Sequence, residues 1–193
     1  LTQEEEQGYY FGFANEGLWP LCHIAHTRPV FRTSDWEYYK KVNQRFAEVV
    51  VAESRTEDPI VLVQDYHFAL LPRMVRERLP RATIITFWHI PWPNPESFGI
   101  CPWRSEILEG MLGSTILGFH TRFHCKNFIE TVDRYLEARI EHEHSTISYH
   151  ADELYAVLCL EASRAQCLLI GEDLGTVPPH VDPSMVPLKR NSI

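Results

Sequence analysis

The sequence predicts an α/β protein built on a doubly wound parallel sheet. Two observations point there. Three short apolar runs rich in β-branched residues stand at intervals along the chain: Ile60-Val61-Leu62-Val63, Thr83-Ile84-Ile85-Thr86-Phe87-Trp88 and Thr115-Ile116-Leu117-Gly118-Phe119. Runs of this kind read as strands buried on both faces. Helical patterns separate and follow them, and strands alternating with helices form βαβ units with right-handed crossovers.

The elements follow in order. Aromatic residues crowd the first forty positions (Tyr9, Tyr10, Phe11, Phe13, Trp19, Phe31, Trp36, Tyr38, Tyr39) and are interrupted by Gly8, Gly12, Gly17 and Pro20. This reads as loop-rich structure that either packs on a neighbouring domain or lines a pocket. Ser34-Asp35 offers a helix N-cap before Trp36, Tyr39, Val42, Phe46, Val49 and Val50, an apolar stripe at spacings of three and four. His67 to Leu79 carries a second stripe, Ile107 to Leu112 a third, and Arg122 to about Ile140 a fourth with Phe128, Val132 and Leu136. After the polar break Glu141-His142-Glu143-His144 the texture changes. A helix pattern (Ala151 to Gln166), one strand (Cys167 to Ile170) and a proline-rich irregular tail remain. One helix and one strand cannot form a core of their own. The expected domains are therefore 1–149, an α/β layer, and 150–193, an added segment and tail.

Composition excludes several classes. Of 193 residues, 18 are Lys or Arg and 26 Asp or Glu, a net charge of −8. Broad nucleic-acid binding depends on clustered positive charge and is not expected. No apolar run reaches the roughly 18 residues of a membrane span, so no membrane partner is expected. Five widely spaced cysteines without a CxxC pair fit a reduced, cytoplasmic chain. The chain opens on Leu1, as a fragment or a processed product would.

Ligands of open α/β sheets sit at the carboxyl ends of strands. Run 60–63 empties into Gln64-Asp65-Tyr66-His67, and run 83–88 into His89-Ile90-Pro91-Trp92-Pro93. Carboxylates accept paired hydrogen bonds from sugar hydroxyls, and aromatic faces stack on the C–H faces of a pyranose. The same residues would serve equally as a helix cap (Asp65) and a satisfied turn histidine (His89). His120, His124 and Cys125 share a helix face, but no carboxylate or second cysteine lies at a matching interval, so no metal is expected. No Walker loop, GxSxG or GxGxxG is present. Glu172, at the end of the last strand, has no partner carboxylate across a glycosidic bond within the chain.

Four segments carry a resemblance: Gly12-Phe13-Ala14-Asn15-Glu16-Gly17-Leu18-Trp19-Pro20-Leu21-Cys22-His23; Gln64-Asp65-Tyr66-His67-Phe68-Ala69-Leu70-Leu71-Pro72; Phe87-Trp88-His89-Ile90-Pro91-Trp92-Pro93; and Leu117-Gly118-Phe119-His120-Thr121. Their order and spacing over about residues 7–149 resemble the trehalose-6-phosphate synthase family, retaining glycosyltransferases of the GT-B fold. The resemblance implies an incomplete Rossmann-like N-terminal half. It also implies that Tyr10 and Trp19 contact the acceptor, glucose 6-phosphate, and that Asp65 binds acceptor hydroxyls. His89 would lie against the transferred glucosyl group, making Asp65 and His89 the candidate catalytic residues. No cofactor and no obligatory metal are implied. The first strand of the family and its second, donor-binding domain are not matched, so a nucleotide-glucose donor is expected only if a second domain is supplied. Glucosylglycerol-phosphate synthases share much of this motif set. A non-catalytic sugar-phosphate-binding module is the alternative, and self-association through an exposed interdomain face is a further expectation. Residues of about 150–183 resemble amylomaltase, a 4-alpha-glucanotransferase, in which the residue matching Glu172 is the acid/base. The chain thus reads as a fusion or rearranged fragment.

Overall fold

The computed structural model describes residues 1–136. All lie in the first of two units, Leu1–Glu141 and His142–Ile193. The expected helix and strand of 151–170, the tail and Glu172 lie outside the described residues.

The described chain opens with helix α1 (Gln3–Glu6) and runs without a break into a π-helix, Gln7–Leu18, and then α2 (Trp19–Cys22). The sequence expectation of loops here is corrected. The glycines do not break the helix; they let other side chains approach it. A Cβ on Gly8 would lie 2.5 Å from the Tyr38 ring, one on Gly12 would lie 2.6 Å from the Asp35 carboxyl, and one on Gly17 would lie 2.9 Å from the Phe31 ring. At Gly8 and Gly12 the missing side chain brings the π-helix against α3 (Thr33–Glu53), and at Gly17 it admits Phe31 from the connection before that helix. Glu5 fixes the start of this arm. It is 1% exposed and forms a capping box with Thr2. It also accepts two hydrogen bonds from Arg45 (2.8 and 2.6 Å) and pairs with Lys41 at 2.9 Å.

Helix α3 buries Trp36, Tyr39, Val42, Asn43 and Ala47. Its expected stripe is shorter than the sequence suggested, because Phe46 and Val49 are 40% and 55% exposed. Ser34 lies inside the helix rather than at its cap, which is Arg32. Three strands follow: β1 (Ile60–Gln64), β2 (Thr83–Trp88) and β3 (Ile116–Phe119). They pair in parallel in the order β1-β2-β3, with Leu62 opposite Ile85 and Ile85 opposite Ile116. Helix α4 (Leu71–Arg78) connects the first two strands. Helices α5 (Pro95–Phe98) and α6 (Arg104–Met111) lie between the second and third, and α7 (Arg122–Leu136) follows β3.

The strand order never reverses, so right-handed crossovers place α4 and α6 on one face of the sheet. That face carries Val63, Ile84, Trp88 and Phe119, each 3% exposed or less. On the opposite face Ile60, Leu62 and Ile116 are 59%, 56% and 54% exposed, and none of the described helices lies across them. The parallel α/β class agrees with the sequence reading. Burial of the strands on both faces does not hold for the described residues, because a continuous apolar run shows that a strand is apolar without showing that two layers cover it.

Candidate functional site

Helix α3 holds the segment that follows β1. Its Tyr39 hydroxyl, fully buried, donates to the Tyr66 carbonyl at 2.6 Å and accepts from Ala69 N–H at 3.0 Å. Its Asn43, also fully buried, accepts from the Leu70 and Leu71 N–H groups with Oδ1. Its Nδ2 donates to the His67 carbonyl at 3.1 Å. These bonds satisfy the amides at the start of α4 and fix the chain from Tyr66 to Leu71.

The segment begins with strain. Asp65 has φ 69° and ψ 173°, a region that essentially only glycine populates and that costs another residue about 1–3 kcal/mol. The surroundings maintain it: Asp65 N–H donates to the Phe87 carbonyl at 2.9 Å. Its Oδ1 accepts from Tyr66 N–H at 2.7 Å and from His89 N–H at 3.3 Å. One carboxyl oxygen thus ties the carboxyl ends of β1 and β2 together. Oδ2 has no protein hydrogen bond among the described residues.

Asp65 and His89 therefore meet, as the sequence led us to expect. Tyr10 reaches the same place through His67: the two rings stack at 5.1 Å and 11°. Asn15, one turn further along the π-helix, accepts from the Tyr66 hydroxyl at 2.8 Å. Trp19 is different. It is 43% exposed and stacks on His23 at 4.1 Å, making no ring contact with the other three residues.

Sequence reasoning did not select Gln64, His67 and His120 individually, although all three lie in the matched segments. Gln64 Oε1 is 2.6 Å from His89 Nε2. His67 is half-buried, and burial lowers its pKa, partly offset by the Asp65 carboxylate. Its Nε2 is enclosed without a hydrogen-bond partner. His120 is also lowered, by burial first and then by the neighbouring His89. The Tyr66 phenol is raised, mainly by burial and then by Asp65. Burial thus biases His67, His120 and the Tyr66 phenol toward their neutral forms. His120 and His124 turn to different neighbours, His120 to Phe87 and His89, His124 to the Trp92 backbone at 3.1–3.2 Å. Among the described residues no three His, Cys, Asp or Glu side chains could hold a metal ion together.

A carboxylate and imidazoles at the carboxyl ends of adjacent parallel strands, with an aromatic arm beside them, define an α/β layer suited to a small polar ligand such as a sugar. Residues 1–159 match glycosyltransferase family 20. The chain belongs to that family. It is 42% identical over 138 residues to the trehalose-6-phosphate synthase of Mycolicibacterium vanbaalenii, covering 72% of this chain and 28% of that protein. It is 45% identical over 138 residues to the synthase of Mycolicibacterium gilvum, covering 72% and 27%. An alpha,alpha-trehalose-phosphate synthase from Burkholderia xenovorans, solved in complex with glucose 6-phosphate, aligns at a TM-score of 0.66 and 29% identity over 70% of this chain and 30% of that one. The sheet and helices have the fold of these GT-B glycosyltransferases. The chain spans somewhat over a quarter of the length of the curated relatives it matches.

Proposed function

We propose that this chain is the acceptor-side portion of a trehalose-6-phosphate synthase, binding glucose 6-phosphate at the carboxyl ends of β1 and β2. The observation that carries the reading is Asp65. Its backbone is held in a strained conformation, one oxygen is committed to two N–H groups, and the other has no protein partner among the described residues. Strain of this kind clusters at ligand sites, where it fixes a side chain in place. Asp65 binds acceptor hydroxyls, Tyr10 and Trp19 contact the acceptor, and His89 stands against the transferred glucosyl group.

Transfer with retention needs a nucleotide-glucose donor and groups that stabilise its departing diphosphate. Catalysis of this type is positioning plus charge stabilisation. The matched segments supply the positioning of the acceptor; the donor requires a second domain. Incubation of the chain with nucleotide-glucose and glucose 6-phosphate therefore yields no product or a trace. Robust turnover refutes the division of labour. Binding of glucose 6-phosphate without turnover also fits the second reading, a sugar-phosphate-binding module; adding a donor domain in trans separates the two, since only the first then yields trehalose 6-phosphate.

Self-association through an exposed interdomain face belongs to the same proposal, and among the described residues the sheet face of Ile60, Leu62 and Ile116 is exposed apolar surface that such a contact would cover. Three strands of four to six residues present about 14 Å by 17 Å, roughly 240 Å2 before side-chain relief. Apolar patches larger than a few hundred Å2 mark association surfaces, and this face lies at or below that size. Stable interfaces bury about 800 Å2 per partner, so self-association through this face is weak and concentration-dependent. We place the chain in the cytoplasm; the three cysteines of the described residues are all free thiols, which fits a reducing compartment.

A further inference from the structure

Gln64, His89 and His120 form a row across the ends of the three strands. Gln64 stands opposite Phe87, and Phe87 opposite Gly118, with the two histidines two residues beyond their partners. The Phe87 ring meets both imidazoles edge-on, 4.7 Å from His89 and 5.0 Å from His120. It occupies space that a side chain at Gly118 would take, since a Cβ there would lie 2.9 Å from Phe87 Cδ2. The His120 imidazole sits 5.7 Å from that of His89. The His89 ring thus lies against the rings of Phe87 and His120, and the Gln64 contact sets its protonation pattern.

Gln64 Oε1 and His89 Nε2 are 2.6 Å apart. A carboxamide oxygen has no hydrogen to give, so Nε2 must be the donor. In the neutral ring the proton then sits on Nε2, and Nδ1 keeps its lone pair. We propose that Gln64 is a positioning residue that holds His89 in the Nε2–H tautomer, so that the ring presents Nδ1 as an acceptor for a hydroxyl of the bound sugar. The part of this inference that concerns sugar rests on the reading of His89 given above. The part that concerns the tautomer does not.

The fold supplies a reason for the arrangement. His89 is solvent-exposed and follows the last residue of β2. An exposed imidazole without a fixed partner divides its proton between two nitrogens and turns freely about χ2. A hydroxyl approaching it meets a donor part of the time and an acceptor the rest. Bonding Nε2 to a neighbouring strand removes that ambiguity, in the manner by which the second nitrogen of an imidazole fixes the role of the first.

The test is long-range 1H–15N correlation spectroscopy on the full chain labelled with 15N-histidine, at a pH where His89 is neutral. The expected wild-type spectrum has His89 Nδ1 in the unprotonated range and Nε2 in the protonated range. Gln64→Leu moves the two shifts toward one another as the tautomers mix, with the backbone amide spectrum otherwise unchanged. Gln64→Glu keeps an acceptor oxygen and restores the wild-type pattern. A protonated Nδ1 in the wild type, or identical tautomer populations in wild type and Gln64→Leu, overturns the proposal. Because His89 is read as standing against the transferred glucosyl group, titration with nucleotide-glucose after a donor domain is added in trans reads the sugar contact: Nδ1 of the wild type shifts, and affinity for the nucleotide-glucose falls about fivefold in Gln64→Leu, the worth of one ordered hydrogen bond. The expected tautomer with an unmoved Nδ1 overturns the sugar contact alone. It is distinguished from failure of the acceptor site by whether glucose 6-phosphate still shifts Tyr10 and His67.

Discussion

Asp65 offers the sharpest perturbation, because its strain and its ligand role separate when two substitutions are compared. Replacement by glycine removes the Oδ1 hydrogen bonds to Tyr66 and His89 but makes φ 69°, ψ 173° ordinary. Replacement by alanine removes the same bonds and keeps the strain. The bond from Tyr66 N–H to a carboxylate is short, 2.7 Å, and hydrogen bonds to charged groups contribute about 1.5–3 kcal/mol. The strained conformation costs about 1–3 kcal/mol. Asp65→Gly should therefore leave stability within about 1–2 kcal/mol of the wild type, the two effects opposing one another. Asp65→Ala should be less stable than Asp65→Gly by about 1–3 kcal/mol. Urea unfolding followed by tryptophan fluorescence measures both. Calorimetric titration with glucose 6-phosphate then shows a loss of tenfold or more in each variant, from a charged hydrogen bond to a hydroxyl worth about 1.5 kcal/mol or more. Equal stability of the alanine and glycine variants refutes the strain argument. Unchanged affinity in both removes Asp65 from the site.

Three further outcomes follow from the same structure. Gly118→Ala forces the Phe87 ring away from a contact of 2.9 Å; both residues lie on the exposed side of the sheet, where the ring can turn aside, so the cost falls at the low end of overpacking, about 1 kcal/mol. The chain should be destabilised by that order in urea, and the histidine signals of His89 and His120 should both move. Acidification lowers stability in two stages. Burial lowers the His67 pKa, so as pH falls below about 6.5 the unfolded chain takes up the proton more readily than the folded one. Arg45, then the Thr2 N–H and Lys41, hold the Glu5 carboxyl well below its ordinary value of about 4.5, so its contribution is complete above that pH and is lost below it. Urea midpoints measured from pH 8 to pH 4 should decline accordingly, and Glu5→Gln should flatten the lower stage. Leu62→Lys, in the middle of the exposed face at 56% exposure, should abolish the concentration-dependent rise in light scattering without loss of fold; persistence of that rise places the contact elsewhere.

The sequence made some elements legible and hid others for identifiable reasons. The strand Thr83–Trp88 and the helix around Trp36, Tyr39 and Val42 were visible because their periodicity is local. Gly8, Gly12 and Gly17 read as breaks, yet they admit Tyr38, Asp35 and Phe31 from elsewhere in the chain, a tertiary fact that no window of sequence contains. The meeting of Asp65 and His89 was legible from strand ends in a parallel sheet. The backbone angle of Asp65 was not, because any residue preference would place glycine there. Trp19 belongs to the matched motif, but its ring rests on His23. The exposed face escaped notice because strand order, which decides how many layers a sheet carries, is invisible in the apolar runs themselves.

A crystal structure of the chain soaked with glucose 6-phosphate bears most directly on the central claim. The account predicts the sugar ring within hydrogen-bond distance of Asp65 Oδ2, with Tyr10 alongside. An ordered sugar bound elsewhere, or a carboxylate of Asp65 that remains unoccupied at saturating ligand, contradicts it.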